Sequence, residues 1–223
     1  MQIKGIIFDL DGTLLDTIND IAFCTNTVLE RRGFQTYAVE RYNDFVGKGL
    51  DWLFEKALKS ENLVVKKSII DEMSIEFEDL YHKNWHRKTQ PYKGIIEMLN
   101  SLKEKNIKMA ILSNKPDKFT KIMVEYFFQN YDFIDVKGAS DEFPLKPHPI
   151  TTNQIIKKMK LTPEEIIFVG DSDVDMQTGL NSKCIPIGVE WGFRSVEELE
   201  ENGATAILQK PAEIFCYLGV SER

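Results

Sequence analysis

Asp9 and Asp11 stand two residues apart, where an apolar run over residues 3–8 gives way to Gly12 and Thr13. Strand residues two apart face the same side, so both carboxylates would point to one place. A carboxylate can attack phosphorus and form an acyl phosphate. Attacker and phosphate are both anionic, so this chemistry calls for a divalent metal between them. A second carboxyl group can give a proton to the leaving oxygen and then take one from an attacking water. Gly12 would let the backbone turn tightly, and the Thr13 hydroxyl could hold a carboxylate oxygen. An Asp-Gly strand end is also an ordinary turn signal, so this pair alone leaves a purely structural reading open.

Three further stretches carry comparable signals. Ser113 and Asn114, followed by Lys115 and Pro116, close a second apolar run and open a helix. A hydroxyl beside helix-start N–H groups suits a phosphate, and equally suits an ordinary helix cap. Lys146 sits between Leu145 and Pro147, with Pro149 close behind. Prolines stiffen such a loop and would fix a lysine that offsets phosphoryl charge, although most lysines are simply solvated. Asp171, Asp173 and Asp175 crowd the end of another apolar run. Close carboxylates repel unless a cation compensates. An all-oxygen ligand set favours Mg²⁺, whereas an acidic helix start explains one or two of these acids. The joint signal is stronger than any part: strand ends in order supply nucleophile, phosphate cradle, cation and metal carboxylates.

The elements that must position these residues are legible in the apolar pattern. Runs at 3–8, 107–112, 133–136, 166–169, 185–189 and 206–208 are continuous rather than alternating. Such runs, separated by helical patterns, indicate a parallel sheet covered on both faces, an α/β fold. Pro116 and Pro149 fall where first-turn prolines are tolerated. Thr162 with Glu165, and Ser195 with Glu198, have capping-box spacing, and Gly203 fits a helix C-terminus. The stretch between the first run and residue 107 holds no convincing strand. Helical patterns over 18–32, 50–59 and 65–81 fill it, so a helical insertion is expected over 16–83, with the core formed by 1–15 and 84–223.

The chain has 223 residues and a formal net charge of -7. That length allows one core domain with a smaller insertion. The acidic balance disfavours non-specific binding to nucleic acid, while a local metal or lysine still admits a small anionic substrate. Cys24, Cys184 and Cys216 are scattered and lack C-x-x-C spacing, as expected of reduced thiols in a cytoplasmic protein. Neither a signal peptide nor an apolar stretch of spanning length is recognised, so no membrane partner is expected. His82, Trp85 and His86, and the stripe of Phe119, Met123 and Phe127, read as packing. Lys157, Lys158 and Lys160 read as a solvated face, and His148 as a loop residue.

These motifs, in this order, resemble those of the haloacid dehalogenase-like superfamily across essentially the whole chain. The resemblance implies a Rossmann-like parallel sheet with helices on both faces and an inserted α-helical cap domain. It implies Asp9 as nucleophile, Asp11 as acid/base, Thr13 beside them, Ser113 as the phosphate-binding hydroxyl and Lys146 as the motif lysine. Mg²⁺ would be held by the Asp9 carboxylate, the Asp11 backbone carbonyl and Asp171, with Asp175 acting directly or through water. Phe45-Val46-Gly47-Lys48-Gly49 and Trp191-Gly192-Phe193-Arg194 look like the phosphoglycolate phosphatase branch. One departure is Lys48, where that branch usually has Asn. Gly47 and Lys48 are therefore candidate substrate contacts, or a flexible turn between helices.

The expected activity is Mg²⁺-dependent hydrolysis of a phosphate monoester through an aspartyl phosphate, with 2-phosphoglycolate as the leading substrate. The partner is a small phosphorylated metabolite, with a monomer or homodimer as the assembly. A phosphomutase of the β-phosphoglucomutase kind, a pyrophosphatase or nucleotidase of the same superfamily, and a non-enzymatic phosphometabolite sensor are the alternatives.

Overall fold

The computed structural model describes residues 2–60 and 65–219. Residues 61–64, within the expected insertion, lie outside the described residues. The chain divides into two compact units, Met1–Leu15 with Pro91–Arg223, and Asp16–Gln90.

The first unit is built on β1 (Gly5–Phe8), β4 (Lys108–Pro116), β5 (Phe133–Ala139), β6 (Ile166–Gly170), β7 (Ile185–Val189) and β8 (Ala206–Leu208). They form one six-stranded sheet in the order β5-β4-β1-β6-β7-β8. Every neighbouring pair is parallel. The apolar residues of β1 are buried throughout, because both neighbours and both faces are covered. α4 (Ile95–Glu104), α5 (Asp117–Phe128), α6 (Ile150–Met159), α7 (Asp173–Asn181) and α8 (Val196–Glu201) are the covering helices.

The order places the site. From β1 the chain proceeds to β4 on one side, then β5, and crosses to β6 on the other side of β1. In open parallel sheets, ligands collect outside the strands' carboxyl ends at such a reversal. Here that point is shared by the ends of β1, β4 and β6.

The local signals resolve differently in several places. β4 does not stop before Ser113 but runs on to Pro116, so Ser113, Asn114 and Lys115 are strand residues. Pro116 and Pro149 then sit at the N-cap positions of α5 and α6 instead of within their first turns. The Thr162–Glu165 box caps a short 3₁₀ turn over Pro163–Glu165. The Ser195 hydroxyl accepts from the Glu198 amide at 3.3 Å, starting α8.

The second unit contains α1 (Ile18–Arg31), a 3₁₀ turn over Val39–Asp44, α2 (Leu50–Lys59) and α3 (Lys67–Asn84). The chain enters it within β2 (Leu15–Asp16) and leaves it within β3 (Gln90–Pro91). Residues 84–90, assigned to the core by pattern alone, belong to this helical unit. The reason is Asp20: its buried carboxylate accepts from the Lys88 and Thr89 amides and from the Thr89 hydroxyl, each at 2.9 Å for Oδ2. Those bonds tie the segment after α3 to the start of α1. Phe54, Phe77 and Tyr81 pack inside the unit, with the Phe77 and Tyr81 rings stacked at 5.2 Å.

Among the described residues, no helix is long and apolar enough to cross a membrane.

Candidate active site

The site begins with the register of β1. The Asp9 amide donates to the Val169 carbonyl at 2.9 Å, continuing the β1–β6 ladder one step beyond Phe8. Asp9 is thereby set beside the end of β6, where Gly170 leads into Asp171. The chain then turns sharply, with Gly12 at φ +83° and its amide bonded to the Leu15 carbonyl at 2.9 Å.

Asp9, Asp171 and Asp175 converge. One carboxylate oxygen from each lies within 4.8 Å of the others, and all three residues are buried. The Asp171 carboxylate accepts from the Thr13 hydroxyl at 3.0 Å and from the Phe193 amide at 2.9 Å. Room for it is made by glycine: a Cβ on Gly12 would lie 2.2 Å from Asp171 Oδ2. The Trp191 indole N–H donates to the Thr13 carbonyl at 3.0 Å, holding the loop after β7 against the loop after β1.

Asp175 is held by its own helix. Its Oδ2 accepts from the Ser172 hydroxyl at 2.6 Å, the Ser172 amide at 3.1 Å and the Asp171 amide at 3.2 Å. Together with the return bond from the Asp175 amide to Ser172 Oγ, this is a reciprocal cap on α7. The other oxygen, Oδ1, takes the Lys146 ammonium at 2.6 Å.

Lys146 therefore spans two acids. Its Nζ also lies 2.9 Å from Asp9 Oδ1, an oblique ion pair that leaves that oxygen without a hydrogen bond. Burial works against the ammonium, but the charges of Asp175 and Asp9 outweigh it and raise the lysine above its ordinary value. Asp9 is pushed up to about 7, chiefly by burial, with Lys146 opposing and Asp175 reinforcing. Asp171 is raised well above the usual carboxylate range by burial and then by Asp175 and Asp9.

These observations fit a divalent cation. Three buried carboxylates converge, the Lys146 ammonium pairs with two of them, and the Asp9 oxygen nearest it has no hydrogen-bond donor. The donors are all oxygen, which suits Mg²⁺. Asp173 lies outside the cluster at the start of α7.

Asp11, grouped with the metal residues through its backbone carbonyl, directs its carboxylate elsewhere. Lys115 Nζ lies 3.1 Å from each Asp11 oxygen, and both side chains are buried. No role was assigned to Lys115 from the pattern. Its burial follows from the ion pair with Asp11 and has no local mark in the sequence. Asn114 meets the backbone of Lys146: its amide oxygen accepts the Lys146 amide at 2.8 Å and its nitrogen donates to the Lys146 carbonyl at 3.1 Å. This clamp ties the Lys146 backbone to β4. The Ser113 hydroxyl is buried and accepts the Lys115 amide at 3.3 Å. Beside Ser113, Asn114 and Lys146 lies a cavity of about 130 Å³ that also reaches Lys137 and His148.

Gly47 and Lys48 belong to the helical unit. Gly47 has φ +118°, and the Lys48 ammonium lies 5.2 Å from the centre of the Trp52 ring.

Comparison with known proteins decides the family. The haloacid dehalogenase-like hydrolase family model matches residues 6–189.

The chain belongs to the haloacid dehalogenase-like hydrolases. This haloacid dehalogenase-like hydrolase falls with the phosphoglycolate phosphatase branch. A phosphoglycolate phosphatase of Vibrio vulnificus (strain YJ016) is 31% identical over 99% of this chain and 98% of its own length. One of Psychrobacter arcticus is 28% identical over 98% of this chain and 96% of its own. A solved structure from Lactobacillus delbrueckii subsp. bulgaricus superposes with a TM-score of 0.92 at 29% identity, covering 99% of this chain and 100% of that one. The family's parallel sheet is thus the sheet that positions Asp9, Asp171 and Asp175.

Proposed function

We propose that this enzyme is a cytoplasmic Mg²⁺-dependent phosphatase that cleaves a small phosphate monoester, best matched by 2-phosphoglycolate, through an aspartyl phosphate on Asp9. The observation that carries the reading is the cluster of Asp9, Asp171 and Asp175, with the Lys146 ammonium paired to Asp9 and Asp175. The phosphoglycolate phosphatases among its relatives support the choice of substrate.

Mg²⁺ held by Asp9 and Asp171, with Asp175 beside them, would offset the charge that opposes attack of one anion on another. Asp9 then attacks phosphorus, and the bond from phosphorus to the ester oxygen breaks. Asp11 gives that oxygen a proton, and the alcohol leaves. Asp11 takes a proton back from water as the water's oxygen attacks phosphorus, which releases inorganic phosphate and restores Asp9. Lys146, Ser113 and nearby backbone N–H groups face the phosphoryl oxygens. Thr13 acts on Asp171 through its hydroxyl, and Asn114 acts on Lys146 through its backbone. The helical unit serves as the cap that selects the leaving group, with Gly47 and Lys48 as its candidate contacts.

The deciding experiment measures phosphate release from 2-phosphoglycolate and a panel of sugar, nucleoside and aryl phosphates, for wild type and Asp9→Asn. Loss of essentially all turnover in a folded Asp9→Asn protein is expected. Turnover retained by that variant removes Asp9 from the nucleophile role.

A further inference from the structure

The mechanism above leaves one buried cation without work. Lys115 stands on β4 two residues beyond Ser113, in the stretch between Leu112 and Pro116 where the register with β5 shifts. Its ammonium meets both oxygens of Asp11 at 3.1 Å. Attacking and leaving oxygens lie roughly in line across phosphorus. With Asp9 attacking, the residue that serves the leaving oxygen occupies the far side, and whatever touches that residue faces the departing alcohol. Lys115 touches it.

We propose that Lys115 is a specificity-determining residue that binds a carboxylate on the leaving alcohol, so that the enzyme favours phosphate esters of short hydroxy acids. The inference rests on the role given to Asp11 above. Lys146 shows in the same site how one ammonium serves two anions, Asp9 at 2.9 Å and Asp175 at 2.6 Å. An ammonium is a compact charge with rotatable donors and no fixed fork, so it can hold Asp11 and a substrate carboxylate together. In 2-phosphoglycolate a single methylene separates the ester oxygen from the carboxylate. A cation in contact with the residue serving that oxygen is therefore within reach of the carboxylate. An alcohol carrying no anion leaves this cation unused.

The test compares kcat/KM for 2-phosphoglycolate and ethyl phosphate, which has a similar size and no carboxylate, in the Mg²⁺-loaded wild type and in Lys115→Met and Lys115→Arg. Inhibition of ethyl phosphate hydrolysis by glycolate gives a binding readout. Wild type is expected to prefer 2-phosphoglycolate. Lys115→Met is expected to lower that preference by roughly 10- to 100-fold, the worth of one hydrogen bond to a charged group, and to weaken glycolate inhibition by a similar factor. Lys115→Arg, which keeps the charge, retains most of the preference. If Lys115→Met does not fold, Lys115→Gln takes its place in the same ratio. A ratio unchanged while both substrates slow equally means that Lys115 merely supports Asp11, and overturns the proposal with the phosphatase reading intact. Loss of the preference in Lys48→Met but not in the Lys115 variant overturns it also. Turnover surviving in Asp9→Asn would instead strike the reading on which the proposal rests.

Discussion

Asn114 holds Lys146 by its backbone on both sides, accepting the amide at 2.8 Å and donating to the carbonyl at 3.1 Å. The side chain that reaches two carboxylates is thus aimed by a residue on a different strand end. Asn114→Ala removes both bonds and leaves a buried amide and carbonyl to find other partners. A loss of about 1–3 kcal/mol in stability is expected, with kcat falling more than the KM rises. Thermal melts and steady-state kinetics with an aryl phosphate check this. Asn114→Asp keeps the acceptor and loses the donor, and is expected to fall between the two.

Asp171 and Asp175 should separate by what they do without metal. Asp171 is buried against two other carboxylates, which raises its proton affinity and strains the metal-free fold. Asp171→Asn is expected to raise the melting temperature in EDTA while abolishing Mg²⁺-dependent turnover, a stability gained at the expense of function. Asp175→Asn keeps one acceptor oxygen, which can serve the α7 cap, but removes the charge and sets an NH2 donor in place of the 2.6 Å partner of Lys146. It is expected to lower the melting temperature with or without Mg²⁺, because it leaves a buried ammonium underpaired. Melts of both variants in EDTA and in Mg²⁺ decide it, and equal behaviour would refute the distinction.

Stability of the metal-free protein should rise as pH falls from 8 to 5. The folded-state value of Asp9 is raised from 3.8 to about 7, so between these values the folded protein binds a proton that the unfolded chain does not. Unfolding then releases protons, and lower pH favours the folded state. Asp171 acts in the same direction. Glu76 is held low by the Arg31 bond despite partial burial, and Asp117 is likewise lowered; such groups stay ionised through this range, so they do not mask the trend. Saturating Mg²⁺ should raise the melting temperature most near pH 8 and flatten the dependence, since a bound ion stabilises the deprotonated cluster. Melts at several pH values with and without Mg²⁺ supply the measurement.

Gly170→Ala tests how tightly the carboxylates are seated. A Cβ there would lie 2.2 Å from Asp175 Cβ. Neither β6 nor the start of α7 can move without disturbing the Lys146 contact. Destabilisation of roughly 1–3 kcal/mol, as for other overpacked positions, and weaker Mg²⁺ activation are expected. Unfolding curves and Mg²⁺ titrations of activity would show both.

The parallel sheet was readable because its strands are buried on both faces and so are written as unbroken apolar runs. The carboxylate constellation was readable because strand ends bring distant residues to one rim. What the pattern left hidden depends on partners. Nothing local to Lys115 marks it as buried; its ion-pair partner is Asp11, far away in the chain. Three clustered acids read as metal carboxylates or as an acidic helix start, and Asp175 combines such parts: it caps α7 and also holds the Lys146 ammonium. Asp20 is a further case: its bonds to residues 88 and 89 place the end of the helical unit later than helical periodicity suggests.

The position of β1 in the middle of the sheet carries a consequence for synthesis of the chain. Asp9 precedes its partners in chain order: its strand needs β4 on one flank and β6 on the other, and its acidic companions Asp171 and Asp175 follow only at the junction of β6 and α7. A nascent or truncated chain ending before that helix carries Asp9 but no assembled site. The three carboxylates are thereby brought together only once the chain through the start of α7 has been made and has folded.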